Sequence, residues 1–242
     1  MALATAIQPA VWAAGRECAA ERLNTDTLTV SFMTCEPGTE IYELYGHSAI
    51  RIRTASGADW VFNYGMFNFN TPNFIARFVL GKTDYYMAAY PFEDFISEYE
   101  YRGSAVMEQT LNLTKEEKEL LLSRLAKTAS YEDWTYRYNF LYDNCTTRAR
   151  DEIENCISGK IEYPQDNTEE SYRQIIHRYT KNSPWSEFGQ DLLLGGDADK
   201  NINERQKMFA PCIWRNTTPR LSSWTSQETG GIWCRTREFT PQ

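Results

Sequence analysis

The chain has 242 residues, a formal net charge of −8 and 42% apolar residues. This length can bury a hydrophobic core without disulfide support, and the composition is too apolar for a disordered chain. The acidic balance offers no basic face for a phosphate backbone, which argues against nucleic acid as a partner. No run of 18 apolar residues occurs, so the sequence predicts no membrane-spanning helix.

Composition divides the chain into three parts. Residues 1–26 are mildly apolar, contain Pro9 and lack the basic start of a signal peptide, so we expect a leader remnant or a flexible N-terminus. Residues 27–215 are expected to form one domain. Residues 216–242 are rich in Pro, Thr, Ser and Gly, and we expect a loose C-terminal extension.

The first half of the domain alternates strand and helix signals. Strands are predicted from β-branched and aromatic runs and from period-two alternation, and helices from caps and terminal glycines. The predicted strands are 27–35, 47–54, 60–67, 84–90 and 105–113, and the predicted helices are 71–81 and 91–103. The 71–81 helix and the residues before it are rich in Phe, which is typical of a core helix or, alternatively, of an acyl-chain groove or membrane-surface contact.

The second half is mainly helical. Thr114 and Glu117 form a capping-box pattern before the clearest helix, which is predicted over 114–130. A second helix is predicted to start near Asn144 and a third to lie within 169–181. A small antiparallel sheet followed by helices indicates the α+β class.

Six cysteines, at 18, 35, 145, 156, 212 and 234, form no CxxC motif or Cys/His cluster, so a structural zinc site is not expected. A Cys145–Cys156 disulfide is disfavoured because 11 residues of one helix span roughly 16 Å; the other pairings stay open. Asp197, Asp199 and Asn201 alternate as calcium ligands can, but the rest of an EF-hand loop is missing, so a solvated or substrate-side loop is favoured. No metal and no cofactor are predicted.

Only two histidines, His47 and His177, are available to a Cys–His thiol mechanism. Cys145 follows Asp143 and Asn144, which are N-cap types, so it is predicted to lie in the first turn of a helix, where N–H groups and the helix dipole favour a thiolate. His47 opens a strand and is the predicted base. His177 is predicted to be a surface or core-edge helix residue.

Asn63 is the candidate for the group that orients the imidazole, because it lies in an apolar strand expected to pair with that of His47. The backbone N–H of Cys145 is a candidate oxyanion donor, with Tyr45 or Asn144 as the second. The alternatives are structural: Cys145 as a small buried hydrophobe and Asn63 as a strand amide.

Four stretches, LYGHSAIRI, FNYGMFNF, FVLGKTDYYM and YNFLYDNCTTR, resemble the periplasmic domain of the Lnb-type bacterial lipoprotein N-acyltransferases. The later NSPW and KMFAP stretches are also similar, so the resemblance runs from about residue 27 to about 215. That family resembles circularly permuted papain-like enzymes of the NlpC/P60 and lecithin–retinol acyltransferase type. The resemblance implies a sheet packed with helices, Cys145 as nucleophile and His47 as base.

The resemblance also implies a function. A fatty acyl chain would move from phospholipid to the N-terminal amine of a diacylglyceryl lipoprotein through an acyl-thioester on Cys145, in the periplasm and in peripheral contact with a membrane. The family carries a membrane-embedded C-terminal part that is not present in these 242 residues, so association through such a part is an expectation.

Two other functions are compatible with the same residues. A Cys–His amidase or peptidase acting on cell-wall peptides or acyl amides would use the same site but resolve the intermediate with water or another amine. A non-catalytic lipid- or lipoprotein-binding domain would not need Cys145 at all.

Overall fold

The structure, a computed structural model, describes residues 28–38, 43–67, 72, 77, 83–130, 135–163, 168–217, 222–224, 229–231 and 233–240. The predicted N-terminal part, 1–26, and nearly all of the predicted 71–81 helix lie outside these ranges. The described chain is an α+β structure with a large antiparallel sheet.

Twelve strands occur in the described residues: β1 Thr29–Cys35, β2 His47–Arg53, β3 Asp59–Met66, β4 Asp84–Pro91, β5 Val106–Leu111, β6 Tyr136–Arg137, β7 Lys160–Glu162, β8 Glu170–Ser171, β9 Asn201–Ile202, β10 Ser222–Trp224, β11 Thr229–Gly231 and β12 Trp233–Phe239. Seven strands form one sheet in the order β12-β5-β1-β2-β3-β4-β6. The predicted strands of the first half are therefore confirmed, with ends shifted by one or two residues.

Seven α-helices lie in the same ranges: α1 Phe92–Arg102, α2 Lys115–Ser130, α3 Cys145–Glu154, α4 Tyr172–Thr180, α5 Pro184–Leu193, α6 Glu204–Lys207 and α7 Pro211–Thr217. A short 3₁₀ turn covers Gly196–Asp199. The predicted end of α1 is confirmed at Gly103, whose φ of 67° is a left-handed conformation that suits glycine.

Both faces of the large sheet are covered. One face packs its alternate residues against α2, α3 and α7, with Phe32, Ile50, Leu125 and Trp214 fully buried. The opposite face packs against α1 through a smaller cluster. Because α1 covers this second face, Ala49 and Arg51 of β2 are buried as well.

Arg51 shows how that second face accommodates a charge. Its guanidinium is buried, donates to both carboxylate oxygens of Asp59 at 2.8 and 2.6 Å, and lies 3.3 Å from the ring centroid of Phe92. Glu108 approaches it at 3.3 Å. A buried cation is tolerated when paired in this way.

The C-terminal strands correct the expected loose extension. β12 pairs with β5 and forms one edge of the large sheet, and β10 pairs with β7 and β11. The composition of residues 216–242 is that of a tail, but the strand-forming run WCRTREF completes a sheet edge that the isolated sequence does not reveal.

A third apolar cluster joins α4, the 3₁₀ turn and the segment around Phe209, and Tyr45 and Phe140 pack against it. This cluster anchors the helical C-terminal half against the loops that lead into β2 and α3. The positions of those two loops determine the site described below.

Glu117 links α2 to the chain that follows α3. Its carboxylate accepts the backbone N–H of Thr114 at 2.9 Å and that of Ser158 at 2.7 Å, and Thr114 returns a bond to the Glu117 N–H at 3.3 Å. The capping box predicted from the sequence is thus confirmed, with a second, long-range partner.

Glu117→Ala is expected to lower the free energy of unfolding by about 1–3 kcal/mol, because it leaves backbone donors without an acceptor. Urea unfolding followed by circular dichroism measures this change. Glu116→Ala, at the exposed neighbour in the same turn, is the matched control and should cost less than about 1 kcal/mol through the helix dipole alone. Equal losses in both variants would contradict the assigned role.

Candidate active site

The start of α3 is fixed by the loop before it. Asn139 and Asp143 exchange backbone hydrogen bonds at 3.0 and 2.8 Å, which closes a tight loop. Asn144 then caps the helix: its Oδ1 accepts the Thr147 N–H at 2.9 Å, while the Asn144 N–H donates to Thr147 Oγ1 at 2.8 Å. Cys145 is therefore the first residue of α3, where backbone N–H groups have no intrahelical acceptor.

The Asn144 side chain is buried and fully used by the fold. Its amide donates to the carbonyls of Phe140 at 2.8 Å and Phe209 at 3.0 Å. With its backbone N–H also bonded to Thr147, every donor of Asn144 is engaged. This corrects its expected role as an oxyanion donor: it joins the loop, the helix and the C-terminal half.

Two hydroxyls hold α3 against β2. Ser48 Oγ and Thr146 Oγ1 lie 3.1 Å apart and are both buried. Each belongs to the residue that directly follows a candidate catalytic residue. This contact between the strand and the helix helps to set the relative position of His47 and Cys145.

The structure brings His47, Cys145 and Asn63 together. The side chains of His47 and Cys145 lie close enough for each to shift the pKa of the other. His47 Nε2 lies 2.9 Å from Asn63 Oδ1, and because an amide oxygen only accepts, Nε2 carries the proton of this bond. This leaves Nδ1 as the ring nitrogen that Asn63 does not engage.

Asn63 lies on β3, which pairs with β2 as the sequence predicted. Its side chain is 3% exposed, so the amide needs a partner, and the His47 ring supplies one. The Asn63 oxygen orients the imidazole and favours its protonated form, which is what an orienting third residue must do. The catalytic roles of the three residues remain predictions.

Opposing effects set the pKa of the Cys145 thiol. Burial raises it, but the His47 charge and hydrogen bond lower it, with help from the backbone N–H of Ser48 and the hydroxyl of Thr146, whose Oγ1 is 3.9 Å from Sγ. The net pKa is below the 9.0 of an ordinary cysteine. The nearby cation and the surrounding donors together thus outweigh the desolvation of the thiolate, which is the largest single effect.

The pKa of His47 moves in the opposite direction. Burial lowers it, while the adjacent Cys145 thiolate and the bond to Asn63 raise it, and the result lies above 6.5. A lowered thiol pKa and a raised imidazole pKa favour a thiolate–imidazolium pair, the reactive state of a nucleophilic cysteine. Both residues are partly exposed.

The other described cysteines differ from Cys145. Burial raises the pKa of Cys35, Cys156 and Cys212. The pKa of Cys156 rises to about 12. All of them are free thiols. Among the four cysteines whose side chains the structure describes, only Cys145 combines a lowered pKa with partial exposure.

Two residues considered from the sequence lie outside this arrangement. The Tyr45 hydroxyl donates to Gln190 Oε1 and its ring packs edge-on against Phe140, which corrects its expected role as an oxyanion donor. His177 Nε2 lies 3.0 Å from Asp191 Oδ1 on the helical C-terminal half, as expected of a core-edge helix residue.

The acidic stretch 197–201 is neutralised by cations of the chain. Asp199 pairs with Arg173 at 2.6 Å and Asp197 with Lys200 at 2.5 Å. No group of three or more His, Cys, Asp or Glu residues suited to a metal ion occurs among the described residues.

Ser48 and Thr146 are site residues that sequence reasoning missed. Both directly follow a predicted catalytic residue, and this adjacency was the only available signal. Tyr136 and Tyr138 also lie near Cys145. Burial raises the pKa of each hydroxyl, and the Cys145 charge raises it further. No pattern in the sequence connects them to the cysteine.

Fold and site together define an α+β domain with a thiol–imidazole–amide arrangement at a sheet–helix junction. The family model for the Lnb N-terminal periplasmic domain matches residues 16–178, and the chain belongs to this family. The match includes His47, Asn63 and Cys145, whereas the similar stretches near 182 and 207 lie beyond it. The family is periplasmic by description and places the chain in the context of lipoprotein N-acylation.

No curated protein and no solved structure matches the chain. No helix in the described ranges has the length and apolarity needed to cross a bilayer.

Iodoacetamide is expected to alkylate Cys145 at pH 7 at least about ten times faster than Cys212, because only the thiolate reacts and the two thiol pKa values move in opposite directions. Peptide mapping by mass spectrometry measures both rates. His47→Ala should shift the pH profile of Cys145 alkylation upward toward that of an ordinary thiol. A profile unchanged by this substitution would show that His47 does not stabilise the thiolate.

Proposed function

We propose that this chain is a thiol-dependent acyltransferase that moves a fatty acyl chain from a phospholipid to the N-terminal amine of a diacylglyceryl lipoprotein. The observation that carries the proposal is the pairing of Cys145 with His47, in which each shifts the pKa of the other and His47 lies 2.9 Å from Asn63 Oδ1. Membership of the Lnb family supports lipoproteins as the acceptor class.

The proposal extends to the fold. A permuted papain-like arrangement places the histidine before the cysteine, and here His47 opens a strand while Cys145 opens a helix further along the chain. The amide partner lies on the strand paired with that of the histidine. This order and these elements support a relationship to the NlpC/P60 and lecithin–retinol acyltransferase types.

In the first half-reaction the Cys145 thiolate attacks the carbonyl carbon of a phospholipid ester. The tetrahedral intermediate collapses as the bond to the glycerol oxygen breaks, and the His47 imidazolium gives its proton to that oxygen. A lysophospholipid leaves. Cys145 holds the acyl group as a thioester, and His47 is neutral.

In the second half-reaction the neutral α-amine of the lipoprotein cysteine attacks the thioester. His47 accepts the proton that the amine loses, the carbon–sulfur bond breaks, and the thiolate–imidazolium pair is restored. The new bond is an amide. One covalent intermediate shared by two half-reactions predicts ping-pong kinetics.

Incubation with phospholipid vesicles is expected to add the mass of one fatty acyl group to the wild-type protein, because the thioester accumulates without an acceptor amine. Intact-mass spectrometry before and after hydroxylamine, which cleaves thioesters, measures the adduct. Cys145→Ala should carry none, while Cys212→Ala, which removes another partly exposed thiol, should behave like the wild type.

The same experiment separates the rival functions. Absence of a lipid-derived adduct together with cleavage of a cell-wall peptide or an acyl amide would favour the amidase or peptidase. Lipoprotein binding that survives Cys145→Ala, again without an adduct, would favour the non-catalytic domain. Either outcome would overturn the acyltransferase.

Peripheral membrane contact belongs to the proposal, and α5 supports it. None of its residues is buried, and Trp185 is 86% and Leu192 71% exposed. Phe188 and Leu193 are exposed too, so the apolar residues follow the i, i+3, i+7, i+8 spacing of one helix face. An exposed face of Trp, Phe and Leu is typical of helices that lie at a lipid–water interface.

The polar residues of α5 attach it to the protein. Gln190 accepts the Tyr45 hydroxyl, Glu187 accepts the Thr180 hydroxyl at 2.9 Å, and Asp191 pairs with Arg173. Tyr45 precedes His47 by two residues. The apolar face is therefore carried on an element that is bonded directly to the segment leading into the site.

Trp185→Ser combined with Phe188→Ser is expected to reduce cosedimentation with phosphatidylglycerol–phosphatidylethanolamine vesicles at least about tenfold, because two interfacial aromatic side chains are lost. Alkylation of Cys145 in solution should not change. Tyr101→Ser, which removes an aromatic side chain that is 94% exposed on α1, is the matched control and should bind like the wild type. Equal loss in the control would contradict a specific role of α5.

A further inference from the structure

Acyl transfer through a thioester develops a negative charge on the carbonyl oxygen of the tetrahedral intermediate. Sites of this kind supply two or more preorganised donors for that oxygen. The Cys145 N–H, at the first position of α3, is one candidate. The side chains expected from the sequence as the second donor, Tyr45 and Asn144, are bonded elsewhere.

Tyr136 provides an unused donor close to the sulfur. Its hydroxyl oxygen is buried and has no hydrogen-bond partner among the described residues. The backbone of Gly65 lowers the pKa of Tyr136, as an N–H donor does, and an N–H cannot accept the hydroxyl proton. The proton of the Tyr136 hydroxyl therefore lacks an acceptor within the described part of the chain, and a buried donor without an acceptor is costly.

Gly65 leaves space between this hydroxyl and the nucleophile. A Cβ placed on Gly65 would lie 3.4 Å from Cys145 Cβ and 3.9 Å from the Tyr136 hydroxyl oxygen. The φ of Gly65 is +87°, a conformation that other residues rarely adopt. The backbone thus keeps open the volume that the cysteine side chain and the hydroxyl both border.

The Tyr136 ring is held in place by charge. The Arg148 guanidinium lies 3.6 Å from the ring centroid and is itself fixed by two bonds to Asp143 at 2.6 and 2.7 Å. Asp143 and Arg148 flank the start of α3. The hydroxyl is therefore positioned by the same structure that positions Cys145.

We propose that the Tyr136 hydroxyl is a catalytic residue, the second oxyanion donor beside the Cys145 N–H, and that the space left by Gly65 holds the acyl carbonyl oxygen. This inference rests on the proposed thiol acyl transfer. In the step it assists, the thiolate forms the carbon–sulfur bond, the carbonyl π electrons move onto oxygen, and Tyr136 donates a hydrogen bond to that oxygen without losing its proton.

The protonation state agrees with this role. Burial raises the pKa of Tyr136, and the Cys145 thiolate raises it further. The hydroxyl is therefore protonated wherever the thiolate is formed, and it is ready to donate.

The test compares two reactions of the same sulfur in wild type and Tyr136→Phe. Acylation by p-nitrophenyl acetate forms an oxyanion, whereas alkylation by iodoacetamide displaces iodide at a methylene carbon and forms none. Stopped-flow release of p-nitrophenolate and intact mass follow the first, and peptide mapping follows the second. Tyr136→Phe is expected to slow acylation about 100-fold or more and to leave alkylation within about twofold.

Tyr85→Phe is the matched control. The ring centroids of Tyr85 and Tyr136 lie 6.3 Å apart, so the two tyrosines belong to the same aromatic cluster. Both of its rates should equal those of the wild type.

Three results would overturn the inference. Acylation of Tyr136→Phe within threefold of wild type would remove the hydroxyl from the mechanism. Parallel loss of acylation and alkylation would reduce Tyr136 to a positioning residue of the thiolate. Failure of the wild type to form any acyl adduct on Cys145 would overturn the proposed thiol acyl transfer and this inference with it.

Discussion

The buried contact between the Ser48 and Thr146 hydroxyls joins the first turn of a helix to the first residues of a strand. Around this contact the sheet is closed by α2, α3 and α7 on one face and by α1 on the other, so the strand cannot slide relative to the helix. A shift of β2 by one residue would turn every side chain to the opposite face. The strand register of the sheet therefore also determines where His47 lies relative to Cys145.

The charged pair at this junction balances two large effects. Desolvation disfavours both a thiolate and an imidazolium, and each charge compensates for the other. Extra donors around the sulfur, from the Ser48 backbone and the Thr146 hydroxyl, shift the balance toward the ionised state. At Cys35, Cys156 and Cys212 the neighbours that lower the thiol pKa do not offset burial, and the pKa stays raised. Reactivity is thus a property of position in the fold rather than of the residue type.

Much of this could be predicted from the sequence because its signals are local. The cap of α2 is encoded by Thr114 and Glu117, the start of α3 by Asn144, and the strands by their alternation. The scarcity of histidine pointed to His47, and the strand pairing pointed to Asn63.

The predictions that failed concerned long-range contacts. Tyr45 and Asn144 were chosen for proximity along the chain, but their donors are consumed by Gln190 and by the carbonyls of Phe140 and Phe209, contacts that no local pattern predicts. Tyr136 comes near Cys145 only in the folded chain, where β6 and Gly65 bring the two side chains to the same place.

The last strand gives the molecule an assembly order. β12 lies at the outer edge of the sheet and hydrogen-bonds β5, which in turn lies beside the strand that pairs with that of the histidine. A chain emerging from its N-terminus can form the central hairpins first, but it leaves β5 as an open edge until the distant segment Trp233–Phe239 arrives. Such non-local closure is slow, and an unpaired edge invites pairing with another chain. During translocation or synthesis, the unpaired edge of β5 would be the part of the sheet that chaperones most need to cover.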